Sequence, residues 1–290
     1  MATSRFSIFS IFLGIFLYFL SHMFRVFRLL VLSADSGIKI RSLAVEQIKA
    51  NGVNLMVPFR LGESYRLIVF KKFFHSYSNS FAILLSERFL DVILITSILF
   101  LASFFSDIEM EFLQSLMYIS ISLLLIIVLM YFSLDQLLLI VHKIFLGKKT
   151  NSMNLSVIKF TSSLIKVLKN TKNILTSKLA SCLLITIIIW VLEILVFYVL
   201  FSFLDLSNFV IILLSICVVL SSLLPSGPAG YGGIQLAFYL VGLSIGFEEL
   251  VFYSFAYNFY IFGIAILISG LFFLSSFFIE LRGSLYESRR

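Results

Sequence analysis

Long apolar stretches with little between them constrain this 290-residue chain more than any single motif. The candidates are Phe6–Phe24, Phe81–Phe105, Phe112–Val141, Leu179–Phe203, Phe209–Leu224 and Leu250–Ile279. A helix crosses the hydrocarbon core of a bilayer with about 20 consecutive apolar residues. Lipid offers no partner to an exposed backbone N–H or C=O, so helices and closed barrels are the structures that span it. The expected fold is all-α: a polytopic helical membrane protein of about six full spans. Two shorter apolar pieces, Leu43–Val57 and Ile234–Phe247, are expected as half-helices or re-entrant segments. The run after Arg5 continues past Phe24 towards Leu32, interrupted by Arg25 and Arg28 alone, and reads as a retained helix rather than a cleaved leader.

Composition agrees. Charged residues make up 13% of the chain and hydrophobic ones 60%, against about 25% charged in soluble domains. No stretch is polar enough, for long enough, to fold as a separate soluble domain. The chain therefore reads as one integral membrane domain, 1–290, with a first half 1–142, a basic cytoplasmic loop 143–178 and a second half 179–290. A cofactor-binding domain is excluded on length, and no cofactor is expected. Cys182 and Cys217 lie inside apolar runs and read as structural thiols. His22, His75 and His142 are scattered, without metal-ligand spacing to Cys, Asp or Glu, so no metal is expected.

Charge sets an orientation. The segment from Lys143 to Lys178 holds eight lysines, and no Asp or Glu occurs between Asp135 and Glu193. Short lysine-rich loops stay on the cytoplasmic side, so this loop and the basic tail Arg282…Arg290 are expected on the cytoplasmic side of the cell membrane. Ser106–Glu111 and the Asp205 turn are expected outside. Leu155, Ile158, Leu164, Ile165 and Leu168 can share one helical face, with Lys159, Lys166, Lys169 and Lys172 largely off it. Two readings fit: lysines that only fix topology, or an interfacial helix that attracts anionic headgroups. The net charge of +7 follows from topology either way, and no nucleic-acid module is present.

All three prolines fall in two interruptions of the apolar pattern, one in each half. The first holds Pro58, Arg60, Gly62 and Glu63, then Arg66. The second holds Pro225, Gly227, Pro228, Gly230, Gly232 and Gly233, and closes on Gln235. Proline removes a donor and glycine frees the backbone. Paired interruptions of this kind point to a transport site near the midplane. No Gly-Lys-Ser/Thr follows the glycines, so a nucleotide loop is not supported. Ser226 has no His or Asp partner nearby, and no catalytic residue is expected.

Glu87, Arg88 and Asp91 sit inside the apolar run Phe81–Phe105. A charge at the centre of a membrane helix costs about 2.5–3.5 kcal/mol on insertion scales, so three within five residues need partners or a function. Glu87 and Asp91 lie one turn apart on one face, and Arg88 can pair with Asp91. On the first break, Glu63 and Arg66 share a face, and the helix starts after both breaks favour an anion. One reading is a buried salt-bridge network. The favoured one adds a polar cavity that admits a headgroup. A weak repeat supports it: Glu87 and Arg88 lie as far beyond Glu63 as Asn258 does beyond Gln235, to within two residues, giving a charged half-site and a neutral one.

Pro58-x-Arg60-x-Gly62-Glu63-x-x-Arg66, Glu87-Arg88-x-x-Asp91 and Pro225-x-Gly227…Gly230-x-Gly232-Gly233-x-Gln235 together resemble the transmembrane region of lysylphosphatidylglycerol synthases, also known as the flippase-like domain family. The resemblance covers nearly the whole chain. It implies a helical membrane protein with a lipid-translocating role; in two-function relatives this region moves an aminoacylated lipid between leaflets. The soluble lysyl-transferring domain has no counterpart in these residues, so no synthase activity is expected. Relatives usually carry an acidic residue at the position of Gln235 and often an arginine near that of Asn258, which makes this second half-site the less charged one.

The sequence thus points to a non-enzymatic transporter of a lipid or lipid-linked headgroup. Its substrate-binding candidates are Arg60, Glu63, Arg66, Glu87, Arg88, Asp91, Gln235 and Asn258, converging on a midplane cavity. The expected partners are membrane lipids with anionic headgroups. The alternative is a non-catalytic scaffold for envelope glycan or lipid biosynthesis, docking a membrane glycosyltransferase or a lipid-synthesis enzyme through the basic segment.

Overall fold

A computed structural model describes the backbone of residues 7–33, 37–57, 62–104, 111–147, 151–221 and 226–287. Pro58, Arg60, Pro225, the acidic segment after Phe104 and the last three residues lie outside the described residues. Among those described, every regular element is a helix: α1 Ile8–Leu32, α2 Ile40–Met56, α3 Gly62–Phe74, α4 Tyr77–Phe104, α5 Glu111–Leu146, α6 Ser152–Phe201, α7 Asn208–Ser221, α8 Gly233–Ser244 and α9 Leu250–Glu287, with short 3-10 turns at Ser202–Leu204 and Pro228–Gly230.

Membrane character shows directly on α1. Ile8, Phe12, Phe16, Phe19, Met23 and Phe27 recur every three or four residues and are all exposed. A stripe of bare phenylalanine suits a surface bathed in lipid chains, since a soluble helix buries its apolar stripe. Only two described helices, Ile8–Leu32 and the stretch Ser152–Leu204, are long and apolar enough to cross a membrane; a third is added if Met117–Leu129 and Tyr131–Leu146, bent by 48°, act as one span. The expectation of six full spans is not confirmed. Asn208–Ser221 and Leu250–Ile264 are apolar but short in their described parts.

The chain divides into two compact units that interleave in sequence. One comprises 1–26, 38–69 and 191–290; the other comprises 27–37 and 70–190.

In the second unit, α5 and the first part of α6 form an antiparallel pair. His142 meets Thr161 at 2.8 Å, and the Lys172 ammonium meets the Asp135 carboxylate at 2.8 Å. These contacts spread symmetrically about the turn after Leu146. α4 packs beside them: Asn170 donates to Asn79 Oδ1 at 2.9 Å. The segment read as a basic loop is therefore mostly helix, and it runs without interruption into the apolar stretch that follows. The cause is plain in the sequence, because no Gly or Pro occurs between Ser152 and Phe201. At 1.5 Å per residue α6 is about 75 Å long, well over twice the roughly 30 Å hydrocarbon core. Its inner face in this region is Thr161, Val167, Thr171 and Leu175, all buried. Ile158, Leu164, Ile165 and Leu168 are half-buried beside it, whereas Leu155 is exposed and so falls off the expected face.

In the first unit, α2 and α3 double back on each other. The start of α3 at Gly62 lies so close to the backbone of Asn54 that a side chain there has no room. α7 and α8 form a second pair, and α8 packs along α9. Tyr257 of α9 anchors an aromatic core with Phe197 and Phe201 of α6 and Phe238 of α8, its ring 4.6 Å from that of Phe197. The Pro228–Gly230 turn packs against both α2 and α9.

Candidate functional site

The second unit holds a charge cluster sealed from solvent. Arg28 of α1 reaches Asp91 of α4 with both terminal nitrogens, Nη1 to Oδ1 at 2.6 Å and Nη2 to Oδ2 at 3.2 Å. Arg28 Nη2 also meets Glu87 Oε1 at 3.4 Å, and Nη1 donates to Thr186 Oγ1 of α6 at 3.0 Å. Trp190 Nε1 donates to Asp91 Oδ1 at 3.3 Å. Arg28 and Glu87 are each 1% exposed and Asp91 4%. A planar guanidinium paired two-pronged with a carboxylate is the strong form of ion pair, and removing one partner from such a buried pair strands the other charge. Glu87 and Asp91, one turn apart on α4, bracket a single arginine and tie α1, α4 and α6 together.

The expected pairing of Arg88 with Asp91 is present only loosely, at 3.7 Å, with the Arg88 side chain 38% exposed. Asp91 is held more tightly by Arg28. Arg28 is not among the site residues expected from the sequence, where it figures only as an interruption of the first apolar run. An arginine deep in an apolar run is itself a request for a buried carboxylate, and that was the available signal.

The first unit contains further polar groups. On α1 and α6, Ser21 Oγ donates to Glu193 Oε1 at 2.7 Å, and Arg25 Nη2 meets the same oxygen at 3.1 Å. Glu193 and Arg25 were likewise not foreseen. On α2 and α3, Arg66 pairs with Glu63 at 3.7 Å and donates through Nε to Gln47 Oε1 at 3.0 Å. Glu63 and Arg66 thus share a face as expected, in a helix that begins at Gly62.

Gln235 has a local task. Its Oε1 accepts the Gly232 N–H at 2.6 Å, capping α8. Gly232 sits at φ 91°, a conformation only glycine adopts at ease. A side chain on Gly233 meets the Ser221 carbonyl oxygen at 2.9 Å, so the two ends of α7 and α8 touch through bare backbone. Residues 227–231 before α8 are bonded to one another, Gly227 N–H to Tyr231 O at 2.9 Å and Gly230 N–H to Gly227 O at 3.1 Å. Asn258 on α9 is 7% exposed, and neither amide atom has a hydrogen-bond partner among the described residues. Among the described residues no three His, Cys, Asp or Glu side chains gather as a metal site.

The structure therefore brings Glu87 and Asp91 together around Arg28, with Arg88 alongside, in one unit. It brings Glu63 and Arg66 together in the other, where Gln235 and Asn258 also reside. A family profile described as the lysylphosphatidylglycerol synthase TM region matches residues 2–270. The chain belongs to this family. Comparisons with curated proteins and with solved structures give no match. Membership agrees with the motifs read from the sequence, and with the apolar helices it makes the chain a membrane protein.

Proposed function

We propose that this family member moves a lipid or lipid-linked headgroup across the cytoplasmic membrane, with Arg88 as its principal anion ligand. The observation that carries the reading is the arrangement on α4. Asp91 is engaged two-pronged by buried Arg28, while Arg88, one residue from Glu87, extends to a position 38% exposed. A fixed carboxylate pair holding one arginine inside leaves the neighbouring guanidinium oriented outward, where it suits a phosphate. Within the other unit, and by themselves, Arg66 with Glu63, and the amides Gln235 and Asn258, are proposed as headgroup-binding residues. Arg60 belongs to the same proposal. The basic first part of α6 and the C-terminus lie on the cytoplasmic side in this reading.

The test is leaflet exchange of labelled lipids by purified protein in liposomes. Faster exchange of anionic lipids than in protein-free vesicles is expected. Exchange no faster across a panel of headgroups overturns the proposal. That outcome favours the second reading, a scaffold for a membrane glycosyltransferase or a lipid-synthesis enzyme, which rests on the exposed Lys159, Lys166 and Lys169 of α6.

A further inference from the structure

The second unit carries an arm whose two outward faces have opposite character. It is the hairpin of Tyr131–Leu146 on α5 and residues 152–172 on α6, held by the Asp135–Lys172 and His142–Thr161 contacts. On α5, Leu137, Ile140, Val141 and Ile144 recur at helical spacing on the side away from half-buried Leu134, Leu138 and His142, and each is 37% exposed or more. Gln136 and Lys143 are the polar exceptions, along one edge. On α6 the outward face carries Ser156, Lys159, Ser163, Lys166, Lys169 and Asn173, all exposed. The exposed apolar residues of this part of α6, Met153, Leu155 and Phe160, lie near the turn. Asp135, already paired, is the one acidic residue from Phe112 to Leu192. The apolar face expected on α6 is thus largely taken up inside the hairpin, and α5 supplies an outward one instead.

Length places the arm. Residues 179–201 of α6 run about 35 Å, enough to cross the roughly 30 Å hydrocarbon core. The lysine-bearing turns before them therefore lie outside that core. Sinking the arm into hydrocarbon would bury Lys159, Lys166 and Lys169, which is costly. Standing it in water would bare an apolar patch of the kind that soluble surfaces avoid. One placement satisfies both faces: α5 down and α6 up, at the boundary of acyl chains and headgroups. Two further observations agree. The apolar face of α5 continues from Leu125, Ile126 and Leu129, exposed in its first half, so the lipid-facing surface runs on into the arm. The helix also turns through 48° between Met117–Leu129 and Tyr131–Leu146, so the arm leans away from the axis of that first half.

We infer that this arm is a membrane-surface element: the outward face of α5 sits among the upper acyl chains of one leaflet, and the α6 lysines bind anionic headgroups there. Charge complementarity names the leaflet's chemistry, since a neutral surface would leave these lysines without counter-charge. Lys143, at the edge of the α5 face, reaches the headgroups along its own apolar stem. The inference concerns how the protein holds its membrane and does not depend on transport.

The test uses the full chain in vesicles, spin-labelled at Ile140→Cys or at Ser163→Cys. Both positions are exposed, and the native Cys182 and Cys217 are buried. Collision with oxygen, which concentrates in lipid, and with a water-soluble nickel chelate reads each environment. The Ile140 label is expected to favour oxygen and the Ser163 label the chelate. Adding phosphatidylglycerol to phosphatidylcholine vesicles is expected to shift the Ile140 label further towards oxygen. Combining Lys159→Gln, Lys166→Gln and Lys169→Gln is expected to abolish that shift. Chelate access at both positions overturns the inference and makes α5 the docking face of a soluble partner. Oxygen preference at both overturns it as well, because the arm is then sunk in the core. No shift with phosphatidylglycerol, or a shift that survives in the triple variant, overturns the assignment to anionic headgroups.

Discussion

Two polar groups inside this apolar molecule use arginine differently. Around Arg28 the partners are mainly charged: Asp91 takes both prongs and Glu87, Thr186 and Trp190 join it, while Arg28 Nε has no hydrogen-bond partner among the described residues. Around Arg66 the partners include amides: Arg66 donates to Gln47 and Gln47 to Asn51, whose Nδ2 has no hydrogen-bond partner among the described residues. The paired charges tie α1, α4 and α6 together, and the amide chain links α3 to α2.

The comparison is broken most easily at Arg28. Arg28→Leu should cost about 3–5 kcal/mol, because Asp91 is left as a buried unpaired charge. Thermal unfolding in detergent measures this, and the chain's single tryptophan, Trp190, donates to Asp91 and so reports the same event by a shift in emission. Adding Asp91→Leu to Arg28→Leu should recover much of the loss; no recovery argues against a pairwise cause. The next effect down concerns the backbone contact of the second break. Gly233→Ala pushes a methyl towards the Ser221 carbonyl at 2.9 Å and should lower stability by about 1–3 kcal/mol. Gln235→Ala removes the α8 cap and should cost about 1 kcal/mol; a larger loss would mark Gln235 as part of a polar network like that of Arg28. Lys172→Ala should sit lowest, below about 1 kcal/mol, since that pair with Asp135 is partly exposed on both sides.

How far these networks were legible differs for a physical reason. Glu87 and Asp91 announce themselves, because spacing along one helix is visible in sequence and charge in an apolar run is rare. Their partner lies 63 residues back on α1, and only folding brings it there. Arg28 is visible in sequence only as an interruption of the first apolar run. On α2, Gln47, Asn51 and Asn54 share a face at helical spacing, but uncharged amides do not stand out from a short apolar piece as charges do. The apolar stretches translated well into helices. Their ends did not: α6 runs on through the lysine-rich segment because lysine is a good helix former and nothing in Ser152–Phe201 stops the helix. The count of six full spans is not confirmed among the described residues for a related reason, since hydropathy marks apolar residues and not where helices begin, bend or end.

The account rests on Arg88 acting outward while Arg28 acts inward. The direct measurement is leaflet exchange of an anionic lipid by Arg88→Ala at unchanged melting temperature. Loss of ten-fold or more, equivalent to about 1.4 kcal/mol, is the predicted result. Exchange at the wild-type rate would contradict it.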